Sequence, residues 1–241
     1  MMQRLNEFSQ PIGPELTAWK PPPVPPRTSI EGRFCRLDPL DLDRHARDLY
    51  AVNSLDRGGR SWTYLPYGPF ASLDSYCTWI ASSCLSDDPL FFAIVDKASG
   101  KPLGVASYLR IAPSSGSIEV GHIHYSQELK RTLMGTESMF LMMQTVFNLG
   151  YRRYEWKCDA LNAGSMIAAQ RLGFSFEGIF RQASVYKGRN RDTAWFSVID
   201  TEWPSLREAF LTWLHPDNFD GRGRQKTRLT DLTRPLLKQS P

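Results

Sequence analysis

The chain has 241 residues, enough for one large domain with tails or for two small ones, and its 41% hydrophobic and 12% aromatic content suffices for a substantial core. A net charge of +4 and a pI near 8.9 permit a polyanionic ligand without requiring one. No run approaches the ~20 apolar residues of a membrane span, the N-terminus lacks the apolar stretch of a secretory leader, and Cys35, Cys77, Cys84 and Cys158 form no Cys-x-x-Cys pair. These features exclude a membrane-spanning helix and a disulfide scaffold, and give the expectation of a reduced, cytoplasmic protein.

Residues 1–29 form an N-terminal arm. Lys20-Pro21-Pro22-Pro23-Val24-Pro25-Pro26-Arg27 favours polyproline II, since proline fixes φ and lacks an N–H. The arm is either a docking ligand for another domain or a stiff leader lying on the surface. Residues 30–37 alternate as a first strand. Asp38-Pro39-Leu40-Asp41 then reads as a helix start, with Asp38 as cap, Pro39 in the first helical position and the helix running to Val52. Residues 54–69 make a long loop carrying Gly58-Gly59, Trp62, Tyr64 and Tyr67. Such a loop is either a binding element or a segment pinned by its own rings. A second helix spans 73–85.

Residues 90–96 and 102–111 are strands joined by the turn Lys97-Ala98-Ser99-Gly100, and residues 113–116 turn the chain into a third strand, 117–125. Three strands on short turns predict an antiparallel meander. The order then becomes strand, helix, strand, helix, strand, which needs a parallel crossover. The fold class is therefore α/β with a mixed sheet. The helix of 135–149 places Met139, Met142, Met143, Val146 and Phe147 at helical spacing as a core face, and Gly150 closes it. A strand at 152–158, a loop at 159–162 and a helix at 163–172 closed by Gly173 follow. A hairpin of 174–186 and 193–200 turns at Lys187-Gly188-Arg189-Asn190, and a last helix spans 204–214. The domain thus covers 30–214. Residues 215–241 are a polar, basic C-terminal tail. Its run Gly221-Arg222-Gly223-Arg224-Gln225-Lys226-Thr227-Arg228 is either an RNA contact or a solvated segment, nucleic acid being the less favoured partner.

The stretch that organises the chain is 117–178. Within it, the loop from Gln127 to Thr136 opens a helix with free backbone N–H groups, and Lys130 and Arg131 stand beside them. A helix start of this kind suits an anion such as a diphosphate. No Walker loop and no Gly-x-Gly-x-x-Gly lies there, so neither a nucleoside triphosphate nor a dinucleotide is the natural ligand.

Several short motifs lie in order here: Glu119-Val120-Gly121, the 130–136 loop with Thr136-Glu137, Asn162-Ala163-Gly164-Ser165, Leu172-Gly173-Phe174, Glu177-Gly178, and Tyr186-Lys187-Gly188 with Arg191-Asp192. Their order and spacing resemble the acyl-CoA-binding core of the GCN5-related N-acetyltransferase (GNAT) superfamily, over roughly residues 30–203, and most of all its ribosomal-protein N-alanine acetyltransferase branch. The resemblance implies the acyl-CoA N-acyltransferase fold, an antiparallel meander followed by a parallel βαβαβ core. It also implies acetyl-CoA as cosubstrate, and direct attack by the amine without an acyl-enzyme. In this family the strand of 117–125 splays from that of 152–158. Backbone N–H groups of Ile123, His124 or Tyr125 would then hold the pantetheine and the thioester oxygen. The backbone of Lys130, Arg131, Thr132, Leu133, Met134, Gly135 and Thr136 would hold the diphosphate, and Asn162 and Ser165 would face the pantetheine arm. The family pattern in the loop is Gln/Arg-x-x-Gly-x-Gly/Ala, against Lys130-x-x-Leu133-x-Gly135 here; leucine fits only where the loop needs no positive φ.

Acetyl transfer from a thioester to an amine needs a held thioester, a donor for the oxyanion, a base for the ammonium and an acid for the thiolate. Glu119 is the first candidate base, acting through water; the competing role is an ordinary strand glutamate in an ion pair. Alternation puts Glu119 on the face of Gly121 and Ile123, with His122 and His124 opposite. Histidines at i, i+2 on a strand suggest a metal only with a third ligand, and none has suitable spacing, so no metal is expected. His124 is a lesser candidate base. By the resemblance, Ser165 protonates the leaving thiolate. Tyr186 is a second candidate acid. Helix capping would equally explain Asn162 and Ser165, and wall packing would explain Tyr186. There is no Gly-x-Ser-x-Gly elbow and no convincing Cys/His nucleophile pair. Trp156, Phe180 and Trp195 belong to the core or to an acceptor pocket.

The leading function is transfer of an acetyl group from acetyl-CoA to a primary amine, either a protein N-terminus or a small molecule. The loop of 54–69 offers only Asp56 as an acid, which favours a peptide or apolar amine over a cationic one. Two other classes stay open: a non-catalytic CoA-binding module on the same fold, favoured by Leu133, and a ribosome- or RNA-associated factor using the basic tail. A homodimer is compatible with the sequence.

Overall fold

The computed structural model describes residues 4–241. Two short strands, β1 (Arg4–Leu5) and β2 (Pro11–Ile12), pair antiparallel ahead of the main sheet. The proline-rich stretch then crosses the surface without regular structure, with Pro22 and Pro25 buried. The Trp19 ring lies against Gly116 and the Arg152 guanidinium. The arm thus lies on the domain as a stiff leader.

The first strand expected over 30–37 is instead a hairpin of β3 (Ile30–Glu31) and β4 (Cys35–Pro39). The break is held from afar. The buried Glu137 carboxylate accepts the N–H groups of Arg33, Phe34 and Cys35 at 2.7, 2.7 and 2.9 Å, so these donors need no sheet partner. The helix start at Asp38 is also corrected. Strand pairing continues to Pro39 opposite Phe92, and the buried Asp38 carboxylate takes bonds from Arg36 and Ser29 at 2.7 Å. Helix α1 (Leu42–Asn53) begins three residues later, where Asp41 accepts the Arg44 N–H at 2.9 Å.

Helix α2 (Leu73–Ser83) opens on a Ser72–Ser75 capping box. The meander follows as β5 (Leu90–Asp96), β6 (Pro102–Ala112) and β7 (Ser117–Tyr125). The crossover part is α3 (Leu133–Asn148), β8 (Arg153–Asp159), α4 (Ala163–Arg171), β9 (Ser175–Tyr186) and β10 (Arg189–Ile199), closed by α5 (Trp203–Leu214). The eight strands lie in the order β3-β4-β5-β6-β7-β8-β10-β9, with β7 and β8 the parallel pair. Helices cover both faces. One core packs α3 and α5 on the sheet through Met139, Met142, Met143, Val146, Phe174 and Phe210. The other packs α1 and α2 through Leu49, Tyr76, Ile80 and Phe91. No helix among the described residues is long and apolar enough to cross a membrane.

The expected solvated tail folds back on the domain. Helix α6 (Leu229–Thr233) buries Leu229 and Thr233, and Thr233 Oγ1 donates to Arg171 O at 3.0 Å. Further on, Lys238 N–H bonds Ser175 Oγ at 2.9 Å and Phe176 N–H bonds Gln239 O at 3.1 Å. The buried Leu229 and Thr233 and a few hydrogen bonds, distributed over a polar sequence, dock this segment.

Candidate active site

β7 and β8 pair from Ser117–Arg153 to Val120–Trp156 and then part, although β7 continues to Tyr125 and β8 to Asp159. The gap opens into a cleft of about 1770 Å³. Separation begins at a bulge. Gly121 pairs with Ser107 and His124 with Val105, so His122 and Ile123 together oppose Ala106, with His122 at a φ of 51°. The bulge reverses the side-chain alternation. Ile118 and Val120 pack in the core beneath α3, and so do Ile123 and Tyr125. The rings of His122 and His124 pack instead with Tyr67, Phe91 and Trp62 on the α1–α2 side. The expectation that the two histidines face away from Glu119 is therefore corrected: they share its side of the sheet.

Backbone donors follow from the same register. Ser126 N–H bonds Leu103 O on β6, so by alternation the Tyr125 N–H faces the gap and the His124 N–H faces Val105 on β6. For His124 the expected cofactor contact is corrected, because that N–H belongs to the ladder. Ile123 sits at the bulge and lines the cleft.

At the next bend, Thr132 caps α3: its Oγ1 accepts the Gly135 N–H at 3.0 Å and donates to Leu129 O at 2.8 Å. Among the described residues, the N–H groups of Arg131, Thr132, Leu133 and Met134 have no protein acceptor. The positive φ of this turn, 61°, falls at Arg131, while Leu133 is the first helical residue, so leucine there carries no backbone strain. Gly135 is required by close approach: a Cβ would lie 2.7 Å from Leu129 O. Lys130 and Arg131 line the cleft beside Thr136, with no carboxylate partner among the described residues.

At the β7–β8 end of the cleft, Glu119 is buried with both oxygens occupied. Arg110 donates at 2.8 and 3.0 Å, and Lys157 Nζ lies 2.9 Å away. Lys157 continues to Glu155 at 2.8 Å and sits 3.7 Å from the Trp195 ring centroid. This is the ion-paired strand glutamate, an anchor for two cations. Tyr186 OH donates to Asp159 Oδ2 at 2.8 Å, and burial together with that carboxylate pushes the phenol up to about 12. Its proton is thus held toward Asp159. Asn162 caps α4, accepting the Ser165 N–H at 3.1 Å. Trp156 Nε1 donates to Ser165 Oγ at 3.0 Å, which leaves the hydroxyl proton to turn to the cleft or to the neighbouring Cys158.

The aromatic loop is pinned over this end. Ser61 Oγ meets His124 Nε2 and Tyr67 OH meets His122 Nδ1, both at 2.9 Å. Burial lowers both imidazoles to about 4, so both are neutral near pH 7. Asp56 is taken up by the N–H and O–H of Ser61 at 2.8 and 2.7 Å. Tyr64 OH reaches Leu161 O at 3.1 Å, and Lys187 Nζ reaches Trp62 O at 2.8 Å, tying the loop to the β8 flank of the gap and to the β9–β10 turn, while the histidine contacts tie it to β7. Eight lysines or arginines line the whole cleft against the two carboxylates of Glu119 and Asp159, so its field is cationic.

Sequence reasoning missed Arg110, Lys157, Arg171 and the C-terminal group Trp213, Phe219, Arg224 and Gln225, all of which line the cleft. Lys157 carried a signal: in β8 charged Arg153, Glu155 and Lys157 alternate with apolar Tyr154, Trp156 and Cys158, which puts the three charges on one face. Arg224 carried none, because its place depends on how the tail docks. Among the described residues no cluster of three or more histidine, cysteine, aspartate or glutamate side chains is arranged to hold a metal.

Comparison with known proteins gives the following. The family description "Acetyltransferase (GNAT) domain" matches residues 35–175. A crystal structure of a GCN5-related N-acetyltransferase from Brucella melitensis is 48% identical with a TM-score of 0.88, covering 91% of this chain and 100% of that one. A protein of Chromobacterium violaceum assigned to the GNAT acetyltransferases is 42% identical with a TM-score of 0.76, covering 81% and 98%. A structure from Vibrio cholerae assigned as a ribosomal-protein-serine acetyltransferase is 18% identical with a TM-score of 0.62, covering 71% and 97%, a likeness of fold alone. Comparison with curated proteins yields no match.

Proposed function

Because the chain belongs to the GNAT acetyltransferase family, we propose that it moves the acetyl group of acetyl-CoA to a primary amine by direct attack. The observation that carries this reading is the joining, in one cleft, of the open β7–β8 gap and the α3 turn with its free N–H groups. The gap accommodates an extended pantetheine, with the Tyr125 N–H facing the thioester. The N–H groups of Arg131, Thr132, Leu133 and Met134, with the Lys130 and Arg131 side chains and the start of α3, suit the diphosphate. Asn162 and Ser165 flank the arm between them.

In this proposal the amine nitrogen attacks the thioester carbon and the developing oxyanion meets backbone N–H in the gap. The C–S bond then breaks and the thiolate takes a proton from Ser165. The proton lost by the amine returns to Ser165 through water, so protons balance. The cationic lining disfavours an arriving ammonium, and the acceptor enters as the free amine. Glu119 then acts by fixing Lys157 and Arg110. The same lining, with Phe180, Val185 and Trp195 on the wall, favours a peptide α-amine or an apolar amine over a polyamine.

The test is thiol release from acetyl-CoA with three acceptor sets: neutral peptides, apolar amines and polyamines. Release with either of the first two is expected. Binding of acetyl-CoA without release to any amine would overturn the transfer, and a polyamine preference would overturn the acceptor class.

A further inference from the structure

The cleft does not end at the α3 turn. Both terminal nitrogens of Arg171 donate to Thr136 Oγ1 at 3.2 Å, and its guanidinium lies 5.3 Å from the Trp213 ring centroid. Trp213 Nε1 donates to Gln225 Oε1 at 2.9 Å, and the Trp213 and Phe219 rings meet edge-on at 5.5 Å. A continuous wall therefore runs from the first turn of α3 to the loop of residues 218–227, whose tip, Gly223-Arg224, lines the same cleft.

That loop is a built structure. The buried Asn218 donates to Trp213 O and Thr227 O at 3.0 and 3.1 Å and accepts the Thr227 N–H at 2.8 Å. Phe219 and Gln225 form a bridge across its base. Asp220 accepts the N–H groups of Arg222 and Arg224 at 2.9 Å and the Arg224 Nε at 2.8 Å. One edge of the Arg224 fork is thereby fixed, and both of its terminal nitrogens stay open. Among the described residues, Arg171 has no carboxylate within ion-pair distance, although burial disfavours its charge. Two cations, of which only Arg224 has a counter-ion, Asp220 on its Nε edge, and a helix N-terminus thus line one end of the cleft.

We propose that this loop is the reader of a third phosphate: Arg224, backed by Arg171, selects a cofactor with a 3′-phosphate on its ribose over the same molecule without it. The proposal rests on the acetyl-CoA reading above. Its geometric support is order along the cleft. The β7–β8 gap comes first, then the α3 turn, then the Arg224 loop. A CoA molecule presents its thioester, its diphosphate and its 3′-phosphoribose in the same order. Within the basic run of 221–228, Gly223, Arg224 and Gln225 are then part of the cofactor site.

The experiment is calorimetric titration of the full chain with CoA and with 3′-dephospho-CoA, for the wild type, Arg224→Ala and Arg224→Lys. Arg224 is 71% exposed, so these variants fold, which a thermal melt checks. The wild type should bind CoA at least about tenfold tighter than the dephospho form. Arg224→Ala should weaken CoA to the dephospho level and leave dephospho-CoA unchanged, and Arg224→Lys should restore part of the difference. Equal binding of both ligands by the wild type overturns this inference alone. So does a variant that weakens both equally or neither. Binding of neither ligand by the wild type overturns it together with the acetyl-CoA reading.

Discussion

The two ends of the cleft follow opposite plans. At the β7–β8 end, proposed as the reacting end, polar groups are bonded to one another: Glu119 to Arg110 and Lys157, Tyr186 to Asp159, Trp156 to Ser165, His124 to Ser61. At the far end donors stand open: four N–H groups in the α3 turn, the side chains of Lys130 and Arg131, and the Arg224 fork. One end is held in place before any ligand arrives, as electrostatic preorganisation requires. In the proposed reading the other is completed by the charges of acetyl-CoA, which would collect binding energy at a distance from the reacting atoms.

The strongest way to break this comparison is Gly135→Glu. It sets a Cβ against Leu129 O and a carboxylate among the open donors. Acetyl-CoA affinity should fall about 1000-fold in calorimetric titration, and near-normal affinity would move the phosphates elsewhere. Glu119→Gln attacks the bonded end, leaving the buried Lys157 and the Arg110 fork short of charge. It should cost about 3 kcal/mol in urea unfolding, while the rising limb of the pH–rate profile stays where it was. A displaced limb would restore Glu119 as the base.

Ser165→Ala should lower kcat about 100-fold and Tyr186→Phe much less, because that phenol proton already lies on Asp159; the reverse ranking would make Tyr186 the acid. The two histidines set a pH dependence. Each folded imidazole titrates near 4, below its ordinary 6.5. The unfolded chain therefore takes up protons first, and stability falls as pH drops from about 6.5 toward 4. His124→Phe should flatten that fall in denaturant titrations run across the window, and an unchanged slope would assign it to other groups. Smallest is Thr132→Ala, which should cost about 1 kcal/mol of stability through the lost cap, read from the same titrations.

Much of the fold was legible because it depends on local signals. Strand β7 stands at its expected bounds, since alternation and flanking turns define it, and the meander and crossover follow from element order. The helix start at Asp38 was misread because Asp38 and Asp41 are both good caps, and pairing of Pro39 with Phe92, a contact across more than fifty positions, decides between them. The geometry of the candidate site was legible where a backbone turn makes it, in the open N–H groups of 131–134 and the cap at Asn162. It was illegible at the bulge. His122 takes a positive φ without being glycine, and nothing in its neighbours announces that the alternation reverses there. The docking of the tail was equally hidden, since it depends on Leu229 and Thr233 meeting α4 and α5.

The bulge also brings two distant parts of the chain into direct contact. The peptide at His122 opens the gap, and the same residue's ring is the bearing on which Tyr67 rests, while Trp62 lies flat on His124 with 3.7 Å between ring centroids. The aromatic loop and the end of β7 therefore share one packed contact, and displacing the loop would break it. Because one face of that linkage is an indole against an imidazole, the molecule carries its own optical gauge. A change in tryptophan emission that His124→Phe abolishes would read, in real time, how far the loop has lifted.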